Sequence, residues 1–371
     1  MSDKEQYMRR AIELAKKGVG RVNPNPLVGA VIVKDGTIIG EGYHKVYGDF
    51  HAERNAFRSL THPEDARGAQ MYVTLEPCCH HGKQPPCTEA IIRHGISQVY
   101  VGSSDPNELV AGKGIEILRE AGIFVETGLL KEECDSLNPV FFHYITHRTP
   151  YVLMKYAMTL DGKIATKTGH SRWISGEASR ERVQETRNAL TGIMVGIGTV
   201  LQDNPLLTCR RQGGRNPVRI VCDSHLRIPM DSNLVETAEE VPTLVASILP
   251  PEDEKKSWQA KKSALEQKGV EVCVTKERQG KVDLTDLMEQ LGQKQIDGIL
   301  LEGGSALNYA ALETGVVNAL QVYVAPKIFG GTGRYTPVGG EGAALATEAF
   351  GCHLVSVEEI EGDLLMTYRV D

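Results

Sequence analysis

The sequence predicts an α/β protein built as two domains, and three observations carry that reading. Its 371 residues exceed the usual domain size of about 100–200. Apolar strand-like runs alternate with helix-like segments through both halves, the pattern of layered α/β folds. That rhythm breaks once, from Asn138 to Pro150, and a new strand opens at Tyr151. The break puts the domains at 1–147 and 150–371.

The elements follow in order. Tyr7, Met8, Ala11, Ile12, Leu14 and Ala15 recur at helical spacing behind Ser2 or Asp3 as N-cap, predicting a helix to about Lys17. Residues 27–33 and 37–40 flank Asp35-Gly36, a dipeptide that accepts the positive φ of a tight hairpin turn. Helix 51–60, strand 71–75, helix 87–95, strand 98–102, helix 113–122 and strand 123–127 complete the first half. The second half reads as strands 151–157, 192–196, 217–222, 243–247, 270–274, 297–302, 319–324 and 363–369. Helices are expected there at 251–268, 284–293 and 305–314.

Apolar residues make up 41% of the chain and charged ones 24%, which excludes disordered, collagenous and coiled-coil classes. The longest apolar stretches, such as Leu27 to Val33, fall far short of the roughly 20 residues that span a bilayer. No membrane partner is expected. The N-terminus mixes acids and bases and has no apolar signal region, so the expected location is the cytoplasm. Thiols stay reduced there, and Cys78, Cys79 and Cys87 crowd into ten positions, which points to a metal or to catalysis. A net charge of −7 argues against a nucleic-acid partner, whose phosphates need a basic surface.

His51-Ala-Glu53 opens one helix, and Pro77-Cys78 is followed nine positions later by Cys87 at the start of another. This resembles the H-x-E…P-C-x-x-C signature of zinc nucleobase deaminases, with a longer gap between the cysteines. One imidazole and two thiolates hold Zn²⁺ and leave a fourth position for water. Glu53 would then move protons from that water to the departing amine, and a helix N-terminus would favour thiolate at Cys78. Taken singly, a His at a helix start is usually a cap and a lone Cys a small core residue. Their order on consecutive strand-to-helix junctions favours one metal site. A structural Cys₃His zinc using Cys79 is the alternative, and it leaves Glu53 without a purpose.

Asn25-Pro-Leu-Val-Gly29, His51-Ala-Glu53, Val73-Thr-Leu-Glu-Pro-Cys78, His81-Gly-Lys83, Pro85-Pro-Cys87, Asp105-Pro-Asn107 and Val110-Ala-Gly112 resemble the deaminase half of the bifunctional riboflavin-biosynthesis deaminase/reductases. The resemblance implies a cytidine-deaminase-like three-layer domain acting on a phosphoribosylamino diaminopyrimidinone. It implies His51, Cys78 and Cys87 as ligands of one zinc per chain and Glu53 as proton carrier. Asn25, His44, His80, Lys83 and Asn107 would line the substrate pocket. The chain departs from the family pattern at Cys79, where Ser is frequent, at Glu108, where Pro is frequent, and at Arg54-Asn55 in place of Val-His.

In the second half, Gly196-Ile-Gly198 lacks the third glycine of a dinucleotide fingerprint, because position 201 is Leu201. Glu302-Gly-Gly-Ser305 ends a strand and opens a helix, a place where free amides and the helix dipole suit a pyrophosphate. Leu160-Asp-Gly-Lys163, Trp173-Ile-Ser175, Val195-Gly-Ile-Gly-Thr199, Asp203-Asn-Pro-Leu-Leu-Thr208, Leu301-Glu-Gly-Gly-Ser305 and Ala325-Pro-Lys327 resemble the reductase half of the same family. That resemblance extends to nearly the whole chain and implies a dihydrofolate-reductase-like domain using NADPH. It places Ala157, Trp173, Thr199, Asp203, Ser224 and the stretch Gly304, Ser305, Ala306, Leu307, Asn308, Tyr309 and Ala310 at the cofactor. Lys155, Ser171, Arg187, Leu207, Arg210 and Glu302 would meet the substrate, the two arginines by bidentate grip on its phosphate.

The implied reaction pair is hydrolytic deamination, then hydride transfer to C1′ that opens the ribose to a ribityl chain. A homo-oligomer through the reductase domains is expected from the resemblance. Two competing readings remain open here: a nucleic-acid-editing zinc deaminase with an appended binding domain, and a non-catalytic zinc scaffold.

Overall fold

The computed structural model describes residues 2–371 except 83, 108 and 334, so Lys83 and Glu108 lie outside the described residues. Backbone contacts divide the chain into two units, Met1–Arg148 and Thr149–Asp371.

The first unit runs α1 (Asp3–Lys16), β1 (Gly29–Lys34), β2 (Thr37–Tyr43), α2 (Ala52–Arg58), β3 (Gln70–Leu75), α3 (Cys87–His94), β4 (Gln98–Ser103), α4 (Lys113–Glu120), β5 (Phe124–Thr127), α5 (Lys131–Asp135) and α6 (Pro139–His147). Its sheet has the order β2-β1-β3-β4-β5. Strand β1 is antiparallel to β2 and β3, and β3, β4 and β5 run parallel. Alternation along the strands sends Ile32, Met71, Val73, Val99 and Val101 to one face, where they pack with Ala56, Phe57, Ile91 and Leu118 of α2, α3 and α4. Val31, Val33, Tyr72 and Tyr100 face the other way, onto Met8, Ala11 and Ile12 of α1 and Cys134 of α5. With both faces covered, β1 is buried at both phases of its alternation, which is why it reads as an unbroken apolar run.

Helix α2 lies almost in backbone contact with β2. A Cβ at Gly42 would stand 2.2 Å from Ala56 N and 2.3 Å from Ala52 O, so only glycine permits this approach. The parallel pairing of Leu75 with Ser103 sets the loops that leave β3 and β4 side by side.

The second unit runs β6 (Tyr151–Thr159), α7 (Glu177–Ala189), β7 (Gly192–Gly196), α8 (Ile197–Asp203), β8 (Val218–Cys222), α9 (Asn233–Glu236), β9 (Thr243–Ser247), α10 (Lys255–Gln267), β10 (Val270–Val274), β11 (Glu277–Arg278), β12 (Lys281–Val282), α11 (Leu284–Gln293), β13 (Gly298–Leu301), α12 (Ser305–Glu313), β14 (Ala319–Ala325), β15 (Cys352–Ile360) and β16 (Asp363–Val370). Its main sheet has the order β10-β9-β8-β7-β13-β6-β14-β16-β15. The strands from β10 to β14 in that order are parallel, and the β15–β16 hairpin joins antiparallel at the edge. Insertion of β13 between β7 and β6 sets the carboxyl ends of β7 and β13 side by side against the middle of the longer β6, and strand ends of this kind are the usual place for a ligand in such sheets.

Several expected elements need correction. The segment 139–147, expected to be irregular, is helix α6, with Pro139 in its first turn behind Asn138, where proline's missing N–H costs nothing. Helix α7 was not expected, because only Ser179 and Val183 of its thirteen residues are buried and no apolar stripe announces it. Helices α8 and α9 and the β11–β12 ribbon are too short to show a period. Strand β15 was missed because almost all of it is exposed.

Replacing Gly42 with Ala is expected to lower the stability of the first unit by about 1–3 kcal/mol. Both Trp residues, Trp173 and Trp258, lie in the second unit, so calorimetry should show a shifted transition while the Trp-fluorescence transition stays in place.

Candidate functional site

In the first unit the strand-to-helix junctions assemble a cation site. His51 caps α2 from extended backbone, and Cys87 is the first residue of α3. The His51 Nδ1 atom lies 3.4 Å from Cys78 Sγ and 3.4 Å from Cys87 Sγ. The three donor atoms all fall within 4.8 Å of one another. Bonds of about 2.3 Å to Cys and about 2.0 Å to His put tetrahedral N···S edges at about 3.5 Å, so the donor set fits zinc in geometry and in chemistry. Cys78 is in the loop after β3, not at a helix start as expected. Its sulfur nevertheless accepts the Cys87 main-chain N–H at 3.4 Å, so the α3 N-terminus supports it through space. A hydrogen bond from the Cys87 thiol, then one from His51, lowers the Cys78 thiol well below its ordinary value, while Cys87 is pushed up. Metal binding would require both as thiolates.

Glu53, in the first turn of α2, is 3% exposed. Burial first, then the Cys78 charge, pushes its carboxyl above the ordinary range. His44 stands edge-on to His51 with ring centroids 5.5 Å apart. Its Nε2 accepts from Asn25 Nδ2 at 3.2 Å, and its Nδ1 donates to the Phe50 carbonyl at 3.1 Å. Burial keeps this imidazole neutral by lowering its pKa. Asn25, His44, Glu53 and the three donors are thus brought together. His80 and Asn107 occupy the adjacent loops after β3 and β4, and among the described residues His80 Nδ1 is buried without a hydrogen-bond partner. The Phe50 carbonyl, which also takes Asn55 Nδ2 at 3.1 Å, is a main-chain contributor with no sequence signature.

In the second unit, β6, β13 and α7 gather charge. Arg187 binds Glu302 bidentately, Nε to Oε1 at 3.0 Å and Nη2 to Oε2 at 2.9 Å, and its Nη1 donates to the Thr208 carbonyl at 2.9 Å. In the structure the Arg187 fork is engaged by Glu302. Burial alone would raise the Glu302 carboxyl, yet the charges of Arg187 and Lys155 outweigh it and hold it at about 2. Lys155 is itself lowered by burial, and its ammonium sits 5.5 Å from the Tyr323 ring centroid. Leu207 is buried beside Thr208, and Arg210 stays exposed with its main-chain N–H on Gln184 Oε1 at 2.9 Å. Thr208 and Gln184 are positioning groups that the sequence reading did not single out, although Thr208 closes the Asp203–Thr208 motif.

A model of the RibD C-terminal domain matches residues 150–366, and one of the cytidine and deoxycytidylate deaminase zinc-binding region matches residues 1–103. The riboflavin biosynthesis protein RibD of Actinobacillus pleuropneumoniae is 56% identical over 364 residues, covering 98% of this chain and 94% of its own length. The chain belongs to the RibD family. RibD of Escherichia coli is 40% identical, with 89% of each chain covered. The crystal structure of a Thermotoga maritima diaminohydroxyphosphoribosylaminopyrimidine deaminase/5-amino-6-(5-phosphoribosylamino)uracil reductase is similar with a TM-score of 0.86 at 39% identity, covering 100% of this chain and 99% of that one. RibD is a bifunctional deaminase and reductase of riboflavin biosynthesis that uses zinc and NADPH, and the editing and scaffold readings fall away. The fold is the expected one, a cytidine-deaminase-like three-layer unit followed by a reductase unit.

In the RibD reductase unit the glycines after β7 and β13 stand close to one another's helices. A Cβ at Gly304 would stand 3.6 Å from Thr199 Oγ1, one at Gly196 would stand 3.7 Å from Leu307, and one at Gly198 would meet nothing within 4 Å. The β7–α8 and β13–α12 junctions therefore open side by side, and the first amides of α12 have no intrahelical partner. Asn308 Oδ1 is buried without a hydrogen bond, while its Nδ2 donates to the Pro337 carbonyl at 2.9 Å. The stretch 304–310 cannot face a ligand as a block, because it is helical. Leu307 and Ala310 pack against the core, Ala306 is exposed, and Ser305 and Tyr309 approach Gly339 and Gly340.

The remaining expected contact residues have separate neighbours. Ala157 packs with Val183 and Tyr323, and Ser224 Oγ accepts the Val282 N–H at 3.1 Å. Ser171 and Trp173 lie on the loop before α7, where Arg172 Nη2 reaches the Asp203 carbonyl at 3.4 Å and Arg180 stacks 4.5 Å from the Trp173 ring centroid.

Because the Glu302 pKa falls from an ordinary 4.5 to about 2 on folding, its contribution is fully present above about pH 4.5. It is lost as pH falls through 2. Glu302→Gln leaves Arg187 buried and unpaired and should cost about 3 kcal/mol at neutral pH. Urea unfolding followed by Trp fluorescence should show that deficit shrinking between pH 4.5 and 2.

Proposed function

We propose that the domain 1–147 deaminates the diaminohydroxyphosphoribosylaminopyrimidine for which the Thermotoga protein is named, and that the domain 150–371 reduces the deaminated product. The observation that carries this reading is the buried Glu53 carboxyl beside three donors spaced for zinc. When bound, zinc supplies the Lewis acidity that brings a water's pKa toward neutrality, and NADPH supplies the hydride. His51, Cys78 and Cys87 hold the metal. Glu53 takes a proton from the attacking water and gives it to the departing amine, which leaves as ammonia, and its raised pKa suits both transfers. Neutral His44, fixed by Asn25 and the Phe50 carbonyl, orients the pyrimidine together with His80 and Asn107. Lys83 is assigned to the phosphate on the family pattern alone.

In the reductase unit, Glu302 stays ionised under Arg187 and Lys155 and accepts hydrogen bonds from substrate hydroxyls. Exposed Arg210 meets the phosphate, with Leu207 and Ser171 flanking the sugar. Thr199, Asp203, Trp173, Ala157, Ser224 and the exposed face of α12 border the cofactor. NADPH held there would supply the hydride for C1′, and the ring oxygen released from C1′ would take a proton, giving the ribityl chain.

The substrate is a small molecule rather than nucleic acid, in keeping with the net charge of −7. The cytoplasm suits a chain whose eight thiols are all unpaired, and cell fractionation by activity checks that placement. Assembly through the reductase unit is supported by β15, an edge strand that exposes Leu354, Val355 and Val357. Val357→Lys should then lower the sedimenting mass without loss of fold.

A paired assay tests the two activities. Ammonia release without NADPH, followed by NADPH oxidation that depends on it, is the expected result, and an unreactive zinc-loaded protein would overturn the reading. Glu53→Gln should keep zinc and abolish ammonia release while reducing pre-deaminated substrate at the wild-type rate. Loss of both activities would contradict the two-site arrangement.

A further inference from the structure

We propose that Glu76 is a positioning residue for the deamination, holding the Asp105–Ile115 loop, and Asn107 within it, at a fixed place relative to Cys78. The proposal rests on the reading of the first unit as the deaminase. Glu76 is the residue after β3 and is 3% exposed. Its carboxylate accepts four main-chain N–H groups from a single loop. Oε2 takes Asp105 at 3.4 Å and Gly112 at 3.1 Å, and Oε1 takes Gly114 at 3.1 Å and Ile115 at 3.4 Å. The last two lie in the first turn of α4, where a carboxylate is favoured by the helix dipole.

These bonds fall on both sides of Asn107. Between the clamped ends the turn closes on itself, with Asn107 N–H on Asp105 Oδ1 at 2.9 Å and the Val110 and Ala111 N–H groups on the Asn107 carbonyl at 2.8 and 2.9 Å. The described residues on both sides of Asn107 are therefore tied to one carboxylate, and Glu76 sets where they sit. The same contact reaches the metal ligand: a Cβ at Gly114 would lie 2.2 Å from the Pro77 carbonyl, so the start of α4 rests directly on the residue before Cys78. A buried carboxylate satisfied by amides of a single loop fixes position without supplying a reacting group. Glu76 thereby joins the strand end that carries a zinc ligand to the loop that carries a substrate contact.

The test is Glu76→Gln in the full-length zinc enzyme. The amide turns one of the two acceptor oxygens into a donor facing N–H groups, which should release one side of the loop. Zinc content should stay at one per chain and reduction of pre-deaminated substrate should be unchanged. The KM for deamination should rise about 10- to 100-fold with kcat altered far less. Hydrogen exchange at the Asp105, Gly112, Gly114 and Ile115 amides should speed up, a readout independent of activity. The decisive arm is a double-mutant cycle with Asn107→Ala. If Glu76 acts through Asn107, the double variant has the KM of Asn107→Ala alone. A KM effect that multiplies, an unchanged KM, or a loss of kcat in step with lost zinc would each overturn the proposal. Should Glu76→Gln fail to fold, Gly114→Ala displaces the same loop with Glu76 intact, and a wild-type KM in that variant overturns it equally. A wild-type enzyme that releases no ammonia defeats the underlying deaminase reading instead, and the exchange experiment still judges the clamp.

Discussion

A histidine and two cysteines can share one cation only when the elements that carry them are held to within a few tenths of an ångström, and α2, β3 and α3 are held so by backbone-to-backbone packing. The donor spacing of 3.4 Å from His51 Nδ1 to each sulfur depends on how closely α2 lies on β2, and Gly42 permits that approach. It depends equally on α3 beginning at Cys87, whose own amide donates to Cys78 Sγ. Glu53 and His44 inherit their burial from the same packing. What looks like a metal site is therefore the meeting point of a sheet edge and two helix starts, and the first unit's core is the scaffold that fixes it.

The reductase unit solves a different problem with the same topological resource. Parallel β7 and β13 end nearly level, so Gly196 and Glu302 open side by side, while β6 runs on past them from Lys155 to Thr159. Glycines there leave backbone exposed to a ligand, while Arg187 reaches over from α7 to neutralise Glu302. In both units the helices reach the site through their first turns or through long side chains, because the carboxyl edge of a parallel sheet is where free amides accumulate.

How much of this was legible in the sequence follows from the physics of each part. His51, Glu53, Cys78 and Cys87 were readable because metal ligation restricts residue type and spacing together, and the strands under them were readable because burial on both faces makes them continuously apolar. The fork of Arg187 was not readable, since a guanidinium serves a phosphate or a carboxylate equally well and only the fold decides which is within reach. Helix α7 escaped because its buried face is almost polar, and β15 because an edge strand with little burial carries no alternation. Clustered contact residues such as 304–310 were legible as a place on the chain and not as a set of contacts, because a helix turns successive residues through about 100°. The Phe50 and Thr208 carbonyls were invisible for a simpler reason: every residue has one.

Two buried carboxylates show how the fold assigns opposite duties to one functional group. Glu53 has burial and the Cys78 charge acting in the same direction, so its proton is held more tightly than in water. Such a group can accept a proton and return it within one turnover. Glu302 is buried as well, yet two flanking cations overturn the effect of burial and keep it charged down to about pH 2. Such a group cannot carry protons at neutral pH; it can only orient donors and organise cations. Desolvation is common to both: at Glu53 it prevails, and at Glu302 the two cations overturn it. Those cations come from Arg187 of α7 and Lys155 of β6, which the second sheet places beside the carboxyl end of β13.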